Sequence, residues 1–264
     1  MFLRFLRLLV LPLLYLSALV ANGETPLRIC ADPDNLPFSN RSGAGFDQRI
    51  AEIIAQDLHR TPVFVWVRSR RGFLREQFNK DACDVLLGVP STMRSLSTTI
   101  PYYTSSYVFV SLAKRHLELT SFTDPALNGQ RIGLQILEED FAPPSLPLIR
   151  GGHAGQLIGF ESFGKQEGNV IRAVADGRVG VAIVWGPVAG YFSQQSKMPL
   201  AISAVAPDYR FAGIPFTYSI SLGVHKVDTT LRSQLNASIA RRRPQIRRIL
   251  AAYHVPLTPA QEGQ

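Results

Sequence analysis

Apolar residues come along this chain in short runs, and turn residues cut between them. Leu27, Ile29 and Ala31 alternate with Arg28 and Cys30, which predicts a short strand. Asp32-Pro33 ends it, because proline offers no ladder N–H and biases the residue before it away from helix. Pro33, Asn35 and Pro37 hold an irregular turn up to Phe38, and a helix follows over 46–58. Residues 62–67 form a β-rich apolar run, 72–80 a second helix, and 83–89 a strand stopped by Pro90. Strand, helix, strand, helix, strand in so short a span predicts a parallel sheet with right-handed crossovers. The strands are mostly apolar runs, as expected where both faces are covered.

The pattern then restarts. Residues 107–112 predict a strand, 114–119 a polar connection, 122–128 a helical turn closed by Gly129, and 131–135 another strand. An acidic, proline-rich stretch over 138–148 leads to a strand at 156–160 and a helix at 169–176 ended by Gly177. A strand at 179–184 runs into Trp185-Gly186-Pro187, with a helix at 188–195 and strands at 200–206 and 216–224 beyond it. Asp228 is placed to cap a helix over 229–242. Pro244 suits the first turn of a separate last helix to Tyr253, and the tail from Pro256 is expected to fray. The expectation is two α/β units, with 113–205 inserted between 24–112 and 206–264. Two connections between such lobes would make a hinge over a cleft. Open α/β sheets keep their ligands at the carboxyl ends of the strands, which puts the loop after the first strand at that cleft.

Residues 1–23 stand apart from this pattern. Arg4 and Arg7 precede an apolar run from Leu8 to Val20, and Ala18, Ala21 and Gly23 are small. That predicts a secretory signal peptide, cleaved after Ala21 or Gly23, with an uncleaved anchor as the alternative. No other run approaches the roughly 20 apolar residues of a bilayer span, so the expected product is soluble and exported. The remaining chain of about 240 residues can be one large domain or two smaller ones.

The formal charge is +8, and Arg4 and Arg7 account for two of it. Basic residues cluster at Arg68-Ser69-Arg70-Arg71, at Arg241-Arg242-Arg243 and at Arg247-Arg248. With no nucleic-acid motif and an exported product, they suit an acidic protein partner or an anionic ligand. The two cysteines, Cys30 and Cys83, sit on predicted strands. In an oxidising compartment they can pair if those strands are neighbours, which would stabilise by about 4 kcal/mol; otherwise they are two buried thiols. With no nearby histidine they make no metal site.

Several stretches resemble the type II periplasmic solute-binding proteins in the branch of polar amino-acid binders. These are 27–38, 84–89, Pro101-Tyr102-Tyr103, the Leu127-Asn128-Gly129-Gln130-Arg131-Ile132-Gly133 run, 177–184 and the helical C-terminus. A narrower resemblance is to the binding-protein-like partners of quinoprotein dehydrogenases. It is carried by Cys30-Ala31-Asp32-Pro33, Asn35-Leu36-Pro37-Phe38-Ser39, Arg70-Arg71-Gly72-Phe73, Cys83-Asp84-Val85, Gly88-Val89-Pro90, Ser105-Ser106-Tyr107-Val108-Phe109 and Val184-Trp185-Gly186-Pro187. The resemblance implies an α/β, two-lobed type II periplasmic binding-protein fold, with parallel-dominated sheets and an inter-lobe cleft and hinge. It also implies a role beside a pyrroloquinoline-quinone (PQQ) methanol or alcohol dehydrogenase.

The chain departs from the amino-acid binders where they grip a zwitterion. Their Thr-x-x-Arg becomes Ser91-Thr92-Met93-Arg94, with the arginine one position off the expected spacing. Their anion-holding turn becomes Glu138-Glu139-Asp140, and their ammonium-holding aspartate becomes Trp185. Two functions compete. In the first, the fold holds a protein, and a cleft lined by Asp32, Asn35, Phe38, Arg70, Arg71, Tyr102, Tyr103, Ser105, Glu138, Glu139 and Trp185 takes a segment of the dehydrogenase and assists its maturation or activation. In the second, the chain is the substrate-binding component of an ABC transporter, passing a small polar, cationic or aromatic solute to its permease. Some relatives of the fold are dehydratases, but the five histidines are scattered and no nucleophile motif accompanies them. The expectation is a non-enzyme without cofactor, a monomer on its own.

Overall fold

The structure is a computed structural model that describes residues 25–68, 78–137, 139–162, 164–206, 211 and 213–259. The predicted signal peptide, Arg70, Arg71, Glu138 and most of the predicted second helix lie outside the described residues.

Strand β1 (Pro26–Ala31) buries Leu27 and Ile29 and lies between two parallel neighbours, β4 (Thr61–Trp66) and β5 (Val85–Pro90). The expected parallel trio is therefore present. Cys30 pairs in register with Val65 and Leu86, and Cys83 lies just ahead of β5. The two sulfurs are bonded, with 5.6 Å between Cα atoms across a sequence separation of 53. Both cysteines are fully buried against Phe78, Val89 and Leu96. Arg28 holds the same junction from outside. Its guanidinium donates twice to Asp84 Oδ1, at 2.6 and 3.1 Å, while its backbone N–H takes Oδ2 at 2.8 Å.

Helix α1 (Phe46–Asp57) turns Phe46, Ile50, Ala51, Ile54 and Ala55 inward, one apolar stripe at helical spacing. Its first amide, that of Phe46, donates to the Pro37 carbonyl, and the next two, those of Asp47 and Gln48, donate to the Phe38 carbonyl. Gly45 lets the chain pass there: a Cβ on it would lie 2.1 Å from that same oxygen.

The second half repeats the arrangement. β8 (Ile132–Leu137) lies parallel between β10 (Leu157–Glu161) and β11 (Val181–Trp185). Two antiparallel strands join the halves. In β7 (Tyr103–Leu112), residues up to Ser106 pair with β13 (Thr217–Val224), and those from Tyr107 onward pair with β11 and β12 (Leu200–Ala204). The resulting path is β10-β8-β11-β7-β13-β5-β1-β4. Alternation along β7 and β11 divides the second core in two. Phe109 and Ile183 face Phe122 and Leu134, whereas Val108, Val110 and Val184 face Val170 and Val174.

Three expectations at the C-terminus are corrected. Thr229–Ala252 is one helix with Pro244 inside it, not two. The buried stripe of Leu231, Leu235, Ile239, Ile246 and Leu250 runs straight through the proline. Ala240, whose carbonyl loses its donor to Pro244, is exposed, so water can satisfy it. Asp228 stands at the helix start without a side-chain cap bond. The described part of the tail, 256–259, is docked rather than frayed. Ser105 donates to the Pro256 carbonyl at 2.5 Å, and the Thr258 N–H donates to the Thr104 carbonyl at 3.0 Å.

Candidate functional site: the cleft between the halves

The turn after β1 folds into a small hairpin, β2 (Asp34–Asn35) against β3 (Ser39–Asn40), with a cis Leu36–Pro37 peptide at its tip. Short polar side chains stitch it. Asp32 Oδ1 accepts the Asp34 N–H at 2.9 Å, and Ser39 donates to the Asp32 carbonyl at 2.8 Å. The hairpin projects Asp32, Asp34, Asn35 and Phe38 into a cleft of about 960 Å3. The opposite wall comes from the second half: Gln135, Leu137, Ser162, Glu167 and Trp185.

Trp185 stands at the centre of an aromatic group. Tyr107 approaches it at 5.5 Å and Tyr218 at 5.7 Å, both edge-on. Its backbone N–H donates to Gln135 Oε1 at 3.1 Å, which fixes the strand end that carries the ring.

Glu167 faces the hairpin across the cleft and is only 3% exposed. The Asn35 amide lies against both carboxyl oxygens, at 2.5 and 3.3 Å. Burial, helped by the charges of Asp32 and Asp34, pushes the Glu167 carboxyl up to about 9, so it is protonated at neutral pH. Asp34 lies so close to Gly164 that a Cβ there would be 3.1 Å from its Oδ2. These contacts bring the two rims together. Among the described residues of the wall, three acids (Asp32, Asp34 and Glu167) stand against one cation, Arg68.

A smaller chamber of about 280 Å3 opens off the cleft and shares Asp32, Asn35, Phe38, Trp185 and Ile220 with it. Tyr103 and Asp47 line its depth. Burial pushes the Asp47 carboxyl up to about 7, against the opposing bond from the Tyr102 hydroxyl at 2.8 Å.

Of the residues expected at the cleft, Asp32, Asn35, Phe38, Tyr103 and Trp185 lie along these two connected cavities. Tyr102 and Ser105 do not. Tyr102 turns the other way from Tyr103, as neighbours on an extended chain do, and its hydroxyl is used by Asp47. Ser105 is fully buried under the docked tail. Glu139 is exposed and lines neither cavity, and the misplaced Arg94 is likewise exposed and outside both. Sequence reasoning missed Asp34, Glu167, Gln135, Tyr107, Tyr218 and Asp47. Asp34 was within reach, since it sits in the turn already singled out.

The histidines have structural surroundings. His59, His116 and His254 all adopt positive φ (53°, 50° and 54°) where a helix ends, a conformation that histidine tolerates better than most residues. His153 pairs with Gln156 at 2.7 Å, and His225 stacks on Phe78 at 4.1 Å. Among the described residues no group of three or more histidines, cysteines or acids is placed to hold a metal ion.

No family model matches the chain. It is 30% identical over 253 residues to Protein MoxJ of Paracoccus denitrificans, covering 89% of this chain and 90% of that one. Among solved structures, the periplasmic binding protein XoxJ from Methylobacterium extorquens AM1 is 31% identical, with a TM-score of 0.74, over 89% of this chain and all of that one. MxaJ from Methlophaga aminisulfidivorans MPT shares the fold, with a TM-score of 0.78 at 23% identity, over 88% of this chain and 100% of that one. By its sequence identity over nearly the full length of these relatives, and by its α/β fold of two joined halves, the chain belongs to the MoxJ family of periplasmic binding proteins.

Proposed function

We propose that this protein is an accessory of a PQQ-dependent methanol or alcohol dehydrogenase, and that it assists the enzyme's maturation or activation by binding a segment of it between two lobes. The observation that carries this reading is the remade cleft. Where amino-acid binders place an arginine for a carboxylate, Arg94 is exposed and away from the cavity. Where they place an acid for an ammonium, Trp185 stands among tyrosines. The space, about 960 Å3, is at the upper end of the 300–1,000 Å3 usual for small-molecule pockets. Family membership supports the setting. The lobes are proposed as 24–112 with 206–264, and 113–205, joined at β7 and β13; catalysis is not part of the proposal.

The test is affinity capture of the tagged, exported protein from its own periplasm, read by mass spectrometry. Enrichment of a quinoprotein dehydrogenase, lost when Trp185 is replaced by alanine, supports the reading. Capture of a transporter permease in its place, with no dehydrogenase, refutes it. The second reading, a solute receptor of an import system, draws on the acids beside the aromatic wall, which suit a cationic solute.

A further inference from the structure

The inner chamber contains a carboxylate without a positive partner. Asp47 is 2% exposed, and its Oδ1 accepts the Tyr102 hydroxyl. No cation acts on it among the described residues; burial and that one hydrogen bond account for its titration. A buried charge with no counter-ion is costly, and such groups are normally paired or neutralised. Its second oxygen is left open to the chamber by Gly88, which lines the same space. A Cβ at Gly88 would sit 3.0 Å from Asp47 Oδ2.

The other walls supply what an organic cation needs. Phe38, Tyr103 and Trp185 surround the chamber with aromatic rings, and Ile220 and Leu86 complete it with aliphatic carbon. Ring faces attract a cation by their quadrupole, and more strongly once water is excluded. At about 280 Å3 the chamber exceeds the roughly 150 Å3 that accepts benzene in an engineered cavity, and it falls just short of pockets for drug-sized ligands. An ammonium group with a few carbons is the matching size.

We propose that this chamber binds a small alkylammonium ion, with its charge on Asp47 and its carbons against Phe38, Tyr103 and Trp185. The proposal stands apart from the enzyme-binding reading, since the chamber lies deeper than the cleft and can be filled whether or not a protein segment enters.

The experiment is calorimetric titration of the full exported protein with propylammonium chloride, with 1-propanol and sodium propionate as matched probes. The expected result is one propylammonium per chain, at least about tenfold tighter than 1-propanol, because a desolvated charge pair is lost in the alcohol. Asp47→Asn, which keeps the shape of the acid, should weaken propylammonium by about tenfold or more. Asp34→Asn, in the outer cleft, should change it by less than about threefold. As a measurement free of Asp47 variants, the Trp185 indole N–H resonance, assigned through Trp66→Phe, should shift saturably with propylammonium. Equal binding of 1-propanol, unchanged affinity in Asp47→Asn, or binding that leaves the Trp185 resonance still would each overturn the proposal.

Discussion

Replacing Glu167 with glutamine should make the protein more stable, and more so as the pH rises. The folded chain holds this carboxyl up to about 9, against an ordinary value of 4.5. Below about pH 4.5 both folded and unfolded chains carry the proton, and burial of the neutral acid costs nothing extra. As pH climbs toward 9 the unfolded chain releases the proton while the folded chain keeps it, and wild-type stability is lost at about 1.4 kcal/mol per pH unit. Between about pH 5 and pH 8 this amounts to about 4 kcal/mol, or about 8–16 °C in Tm for a chain of this size. Glutamine has the shape of the protonated acid and can still meet Asn35, but it does not titrate. Asp47 titrates in both proteins and cancels from the difference. The assay is thermal unfolding of wild type and Glu167→Gln across that range. The two Tm curves should converge at the acid end and separate steadily toward the alkaline end. Parallel curves would mean that Glu167 ionises freely in the folded state, and the account of the closed rims would fail with it.

Reduction of the Cys30–Cys83 bond, or the paired replacement of both residues by alanine, should cost about 4 kcal/mol for the loop it closes; a Tm loss below about 2 °C in a scan with and without reductant would contradict this. Gly45→Ala should destabilise by about 3 kcal/mol or more, because its methyl meets the Phe38 carbonyl, and denaturant titration would report it as a shifted midpoint. Ending the chain at Val255 should cost about 1–3 kcal/mol by leaving the buried Ser105 hydroxyl without its acceptor; amide exchange should quicken along 103–106 in the shortened protein and stay unchanged at β4.

The parallel trio around β1 was legible because its signals are local: short apolar runs, punctuated by proline and glycine, in an order that only a few topologies satisfy. The disulfide was half legible, since two cysteines on predicted strands can meet only if those strands are neighbours. Within the cleft, Asp32, Asn35, Phe38, Tyr103 and Trp185 were reachable from the rule that ligand crevices gather at strand ends. Glu167 was not. It sits in Gly164-Lys165-Gln166-Glu167-Gly168, a stretch with no periodicity, and it acquires meaning only when Asn35 arrives from another part of the chain. Tyr102 and Tyr103 look equivalent in sequence, yet strand alternation gives one to Asp47 and the other to the chamber. Pro244 was misjudged because a helix-breaking residue is read locally, while the stripe of Leu235, Ile239, Ile246 and Leu250 that overrides it spans four turns.

The joint between the halves is a narrow ribbon: β7 and β13, hydrogen-bonded from Tyr103 to Ser106, with the C-terminal tail tied alongside at Thr104 and Ser105. Cords laid side by side and cross-linked along their length bend readily out of their common plane and resist sliding past one another. Any opening of the cleft would then turn about this ribbon, like a book on its spine. The Asn35 and Glu167 rims would return to the same register each time, and whatever the cleft admits would meet the same two pages.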